Sequence, residues 1–155
     1  MPSHATWNPA LAESIMEPLL TLEGPLLPVL HAMQQAFGHV PEAAVPLIAA
    51  RLNLSRAEVH GVVTFYHDFR AAPAGRHVLK LCQAEACRAM GAMENAARLL
   101  AQLGLSAGET TADGRLTIEP VYCLGLCATA PAAMLDGEPH GRLDAAALAA
   151  LADAA

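Results

Sequence analysis

Two short segments hold every thiol in the chain. "CQAEAC" places Cys82 and Cys87 with four residues between them, and "CLGLCATAP", after a gap of 35 residues, places Cys123 and Cys127 with three between. Four thiols on two loops suit either a tetrahedral zinc or a 2Fe-2S cluster, in which each iron takes two protein sulfurs. Spacing alone does not choose between them. The second segment is apolar and carries a glycine, so it would exclude water while leaving backbone N–H groups free to bond sulfur, which favours the cluster.

Competing chemistries fit less well. A thioredoxin-type thiol site needs C-x-x-C, which neither pair has. Structural disulfides rank last, because nothing in the sequence indicates export to an oxidising compartment. The runs of bacterial and plant-type ferredoxins are absent, and no histidine lies inside either pair to make a Rieske centre. His31 and His60 are expected on helix faces, His67 and His77 near a turn and His140 in a loop, all as surface or packing residues. No glycine-rich phosphate loop follows the first expected strand, so no nucleotide site is expected.

Composition narrows the partners. The chain has 155 residues, 54% hydrophobic and 15% charged, ample for a packed core of its own. Residues 1–50 contain Glu13, Glu17, Glu23 and Glu42 but no Lys or Arg. Nucleic acid is therefore an unsuitable partner, and the missing basic residues also remove secretory and mitochondrial targeting patterns, which points to the cytoplasm. The uncharged run 120–135 is shorter than the ~20 residues a spanning helix requires and is broken by two prolines, so no membrane span is expected.

The elements that would position the thiols change rhythm midway. Residues 25–37 repeat apolar side chains at Leu26, Leu30, Met33 and Phe37, a helical period that stops at Gly38. A second helix is expected after Pro41, with Pro46 blurring its first turn. Ser55 and Glu58 spell a capping box, with Leu54 and Val59 as its staple, for a helix running toward Tyr66. Residues 11–20 form a further candidate helix.

After a turn-rich break at 71–75, "HVLKLC" reads as a strand ending at Cys82. Residues 84–103 read as one helix with Met90, Met93, Ala97 and Leu100 on one face and Gly104 as its stop. Asp113-Gly114 predicts a hairpin, "AAMLD" a short strand, and Asp144 the cap of a last Ala/Leu helix. The order strand, helix, two or three strands, helix gives a compact α/β layer preceded by helices.

The stretches "FYHDF", "HVLKLCQAEACRAMGA", "GETTADGRLTIEPVYCLGLCATAPAAML" and "GRLDAAALAAL" together resemble one family closely. It is the small thioredoxin-like 2Fe-2S subunit shared by respiratory complex I and by soluble NAD-linked formate dehydrogenases and hydrogenases, and the likeness runs from about residue 23 to the end. The resemblance implies an α/β fold: a thioredoxin-like 2Fe-2S ferredoxin domain at 75–155, preceded by an N-terminal helical segment at 1–74, which is expected to dock a partner because a free-standing ferredoxin would not need it.

It further implies that Cys82, Cys87, Cys123 and Cys127 all ligate one 2Fe-2S cluster, with no catalytic site on this chain. The partner would be a flavin-bearing NAD(H)-binding subunit with further iron-sulfur clusters, and FMN and NAD would sit there. Within the family, "FYHDFR" and "CQAEACRAMGA" look most like the gamma subunit of cytosolic NAD-dependent formate dehydrogenase, whose larger catalytic subunit contains molybdenum. Gln83, Ala84 and Glu85 depart from the "C-T-G-T-A-C"-like first pair of the complex I subunit. The alternatives are the equivalent subunit of NADH:quinone oxidoreductase or of an NAD-linked hydrogenase. From other classes come a structural or interaction module built on a four-cysteine zinc and a thiol oxidoreductase.

Overall fold

The computed structural model describes residues 4–155. The chain divides into two compact units, 1–73 and 74–155.

The first unit is helical. Asn8 caps α1 (Pro9–Met16), its side-chain oxygen accepting from the Ala10 and Leu11 N–H groups at 2.9 and 3.3 Å. A 3-10 turn at Glu17–Leu19 follows, and Pro18 within it has no N–H with which to continue the α ladder. The candidate helix over 11–20 is therefore shorter than its apolar pattern and starts earlier.

α2 (Leu26–Phe37) buries Leu30, Met33 and Phe37, while Leu26 is only half-buried. Gly38 ends it at φ 77°, and a Cβ there would lie 2.6 Å from the His4 ring, so both the backbone and the space call for glycine. α3 (Ala44–Leu52) takes Pro46 in its first turn, where the ring costs no intrahelical hydrogen bond. Ser55 and Glu58 close the expected reciprocal box at the start of α4 (Arg56–Phe65). Met16, Leu30, Met33, Ile48 and Val59 meet in one core.

The Gln34 amide then clamps the chain leaving α4. It donates to the Asp68 carbonyl and accepts from the Arg70 N–H, each at 2.7 Å.

The second unit is a four-stranded sheet in the order β2-β1-β3-β4. β1 (His77–Cys82) runs parallel to β2 (Leu116–Val121), from His77 opposite Leu116 to Cys82 opposite Val121. The crossover between them carries α5 (Glu85–Ala89) and α6 (Ala92–Leu103). β3 (Ala133–Leu135) pairs antiparallel with β1, and β4 (Glu138–His140) with β3. α7 (Ala145–Asp153) closes the unit, with the Asp144 side chain accepting from the Ala147 N–H at 2.8 Å. Leu79, Leu81, Leu99, Leu116, Ile118 and Leu148 fill the core.

Three details differ from the sequence reading. The helix expected over 84–103 is interrupted at Gly91, whose φ of 85° turns the chain between α5 and α6. α6 turns the small Ala92 and Ala96 inward with Leu99, while Met90, Met93 and Ala97 are exposed. His140 belongs to β4 rather than a loop, because Asp136 and Gly137, at φ 50° and 90°, form a tight turn after β3. Among the described residues no helix is long and apolar enough to cross a membrane.

Candidate functional site

The parallel register delivers both thiol pairs to one end of the sheet. Cys82 is the last residue of β1, and its N–H donates to the Ala132 carbonyl at 3.1 Å. The next N–H, of Gln83, donates to the Val121 carbonyl at 2.8 Å, so the chain is tied on both sides as it leaves the strand. Cys87 follows within α5. On the neighbouring strand Val121 stands opposite Cys82, and Cys123 comes two residues later. Cys127 opens a 3-10 turn, Cys127–Thr129, that packs against α5.

The two pairs differ in exposure. Cys82 and Cys87 are buried, at 4% and 2% exposed, whereas Cys123 and Cys127 are exposed. The inner pair shares an apolar cluster with Ala92 and Ala132, against which Ala84, Val121, Leu124, Leu126 and Ala130 pack. Side chains from both cysteine loops thus join one apolar cluster.

Electrostatics connect the four sulfurs. Burial pushes the Cys87 thiol up, a hydrogen bond with Cys82 adds to this, the Ala132 backbone opposes it, and nearby Cys82 and Cys127 raise it further. Cys127 is also raised, first by a hydrogen bond and then by charge from Cys123, with contributions from burial and from Cys82. Cys82 is therefore within electrostatic reach of both pairs.

The Cys123 and Cys127 sulfurs stand 3.8 Å apart. That is about the separation of two sulfurs on one tetrahedral metal, ~3.8 Å for metal–sulfur bonds of ~2.3 Å. The Gly125 N–H donates to the Cys123 sulfur at 3.3 Å. Cys123 itself sits at φ 146°, a region that side-chain-bearing residues rarely adopt and that concentrates at functional sites.

Among the described residues no three His, Cys, Asp or Glu side chains are grouped to hold a single metal ion. Two thiol pairs at one end of the sheet, the inner one among apolar side chains and the outer one with an N–H donor on sulfur, make a donor set that fits a two-iron centre. The fold brings the two loops that carry Cys82, Cys87, Cys123 and Cys127 to one end of the sheet, with Cys127 within electrostatic reach of Cys82 and Cys87, and no histidine is grouped with them among the described residues.

Sequence reading anticipated backbone N–H donors in the glycine-bearing loop, and Gly125 supplies one. It missed two features: Ala132 bonds with both members of the inner pair, and Tyr122 and Met90 are exposed close in sequence to the cysteines.

A βαβ unit extended by a β-hairpin and a helix, with paired thiols at its strand ends, defines a small electron carrier of the iron-sulfur type. The chain belongs to the thioredoxin-like [2Fe-2S] ferredoxin family, whose profile matches residues 12–155, and its cofactor is one 2Fe-2S cluster.

It is 41% identical over 112 residues to a NADH-quinone oxidoreductase subunit of Pseudomonas aeruginosa, covering 72% of this chain and 68% of that protein. It is 32% identical over 146 residues to the NADP-reducing hydrogenase subunit HndA of Solidesulfovibrio fructosivorans, covering 92% and 85%. Among solved structures, an air-oxidized NAD+-reducing [NiFe]-hydrogenase superposes with a TM-score of 0.67 at 30% identity. That match covers 83% of this chain but 22% of the longer hydrogenase chain. The chain is a subunit of an oxidoreductase complex, of the small subunit type found in complex I.

Proposed function

We propose that Cys82, Cys87, Cys123 and Cys127 together hold the 2Fe-2S cluster and that the chain relays single electrons beside the flavin of an NAD(H)-linked complex. The observation that carries this reading is the parallel register, which brings both cysteine loops to one end of the sheet, with Cys127 within electrostatic reach of Cys87. When bound, the cluster supplies a one-electron store. The protein's own part is to bind and to insulate: four thiolates as donors, Val121, Leu124 and Leu126 excluding water, and backbone N–H groups aimed at sulfur.

The test is anaerobic purification with iron, sulfide and zinc assayed on one sample, and EPR spectra before and after dithionite. About two irons and two sulfides per chain, with a signal only on reduction, is the expected result. Stoichiometric zinc with a featureless visible spectrum would replace it with a structural zinc module.

The partner in this reading is a flavin-bearing NAD(H)-binding subunit that carries FMN and further iron-sulfur clusters. The named activities of the relatives above, NADH-quinone oxidoreductase and NAD(P)-reducing hydrogenase, support such a module. "FYHDFR" and "CQAEACRAMGA" favour a cytoplasmic formate dehydrogenase with a molybdenum-containing catalytic subunit, oxidising formate to CO2 and reducing NAD+. A complex captured through this chain should then reduce NAD+ with formate. Reduction with hydrogen, or NADH oxidation by quinone, would move the chain to the sister complexes.

The helical segment 1–74 is the proposed docking part, supported by Phe65, 73% exposed beside a groove of about 570 Å³ lined by Leu26, Leu54 and Val62. Phe65→Asp should reduce co-purification of the flavoprotein while leaving the cluster spectrum unchanged. Undiminished co-purification would remove the docking assignment.

A further inference from the structure

The left-handed turn inside the second cysteine loop has a chemical consequence. Gly125 adopts φ 76°, and a Cβ there would meet no atom within 4 Å, so backbone conformation and not crowding reserves the position for glycine. In the same turn the Gly125 N–H donates to the Cys123 sulfur at 3.3 Å. The loop is exposed at both Gly125 and Cys123, so the bond is not a product of core packing.

Resting on the ligand assignment above, we infer that Gly125 is a positioning residue whose N–H sets the reduction potential of the cluster through the Cys123 thiolate. An N–H donated to a ligating sulfur withdraws charge from it and favours the reduced, more negative state. Removing the bond makes the cluster harder to reduce. Alanine is strained at φ 76°, so the turn relaxes and the amide shifts away from Cys123. Asparagine tolerates the left-handed region several-fold better than other side chains, so it keeps the amide in place.

The experiment is EPR-monitored redox titration of the full chain carrying its cluster, as wild type and as Gly125→Ala, Gly125→Asn and Gly91→Ala. Gly91 has the same kind of conformation, at φ 85°, but its N–H donates to the Arg88 carbonyl at 3.1 Å. Gly125→Ala should lower the midpoint potential, and Gly125→Asn should restore it to near the wild-type value. Gly91→Ala should leave it unmoved.

The inference is overturned by an unshifted Gly125→Ala, by an equal fall in Gly125→Asn, or by an equal fall in Gly91→Ala. Should Gly125→Ala take up no cluster, pulsed EPR on the reduced protein grown with [15N]glycine decides. A nitrogen coupling present in wild type and absent from Gly125→Asn is expected, and one that persists refutes the role. A wild-type chain without iron would remove the functional reading and this inference with it; a loaded wild type with matched potentials removes only the inference.

Discussion

The two cysteine pairs reach the same end of the sheet by opposite means. Cys82 and Cys87 are buried, on a strand end and a helix, and are held by hydrogen bonds from β1 to Ala132 and Val121. Cys123 and Cys127 are exposed on a loop shaped by its own backbone, with Cys123 at φ 146° and Gly125 at φ 76°. Tertiary packing fixes the inner pair, and local turn chemistry fixes the outer one. The inner side should therefore tolerate little change, whereas the outer side can adjust.

Substitution within the pairs is the severest test of that contrast. Cys87→Ser sets a hydroxyl among alanine side chains and should abolish iron and sulfide binding in the purified chain. It should also destabilise the unit in denaturant unfolding, because the smaller, more polar hydroxyl replaces a sulfur packed among apolar side chains. Cys127→Ser, on the exposed loop, should keep a cluster with a shifted visible spectrum. Equal loss from both variants would erase the distinction.

Thiol reactivity in the cluster-free chain sharpens the comparison further. Cys123 and Cys127 should be alkylated first and Cys87 last, as read by mass spectrometry after timed iodoacetamide pulses. Because Cys127 is raised, its alkylation rate should still be climbing above the ordinary thiol value of about 8.5.

The same raised values carry a stability sign. The folded apo chain holds these protons more tightly than the unfolded one. Their contribution is therefore intact below the ordinary thiol pKa and lost as pH rises through the raised folded values. Urea unfolding of the apo chain should show lower stability at about pH 10 than at about pH 7, and the reverse order would contradict the assigned direction.

The smallest effect lies away from both pairs. Ser55→Ala removes the cap of α4 and should cost about 1 kcal/mol of stability. It should leave the cluster spectrum as it was. A changed spectrum would mean that the helical unit, and not only the sheet, shapes the site.

Local signals were legible because neighbours in sequence make them. "HVLKLC" is the strand it resembles, Gly38 stops α2, and the Ser55–Glu58 box closes as written. The 84–103 helix misled because a left-handed Gly91 splits it and because α6 approaches the sheet through small alanines, leaving the methionines outside. β4 escaped notice since three residues, one of them Pro139, carry no strand pattern, and only pairing with β3 makes them one.

The residue types and spacings alone determined that four thiols come as two pairs, that the second lies in an apolar glycine turn, and that a strand delivers the first. Tertiary structure decided which pair is buried and that both loops come to one end of the sheet. Both follow from the parallel register that sets Cys82 beside Val121, a pairing between residues far apart in the chain. Loop closure over that distance is repaid by β1–β2 hydrogen bonds and the leucine core, none of which resides in the cysteine segments themselves.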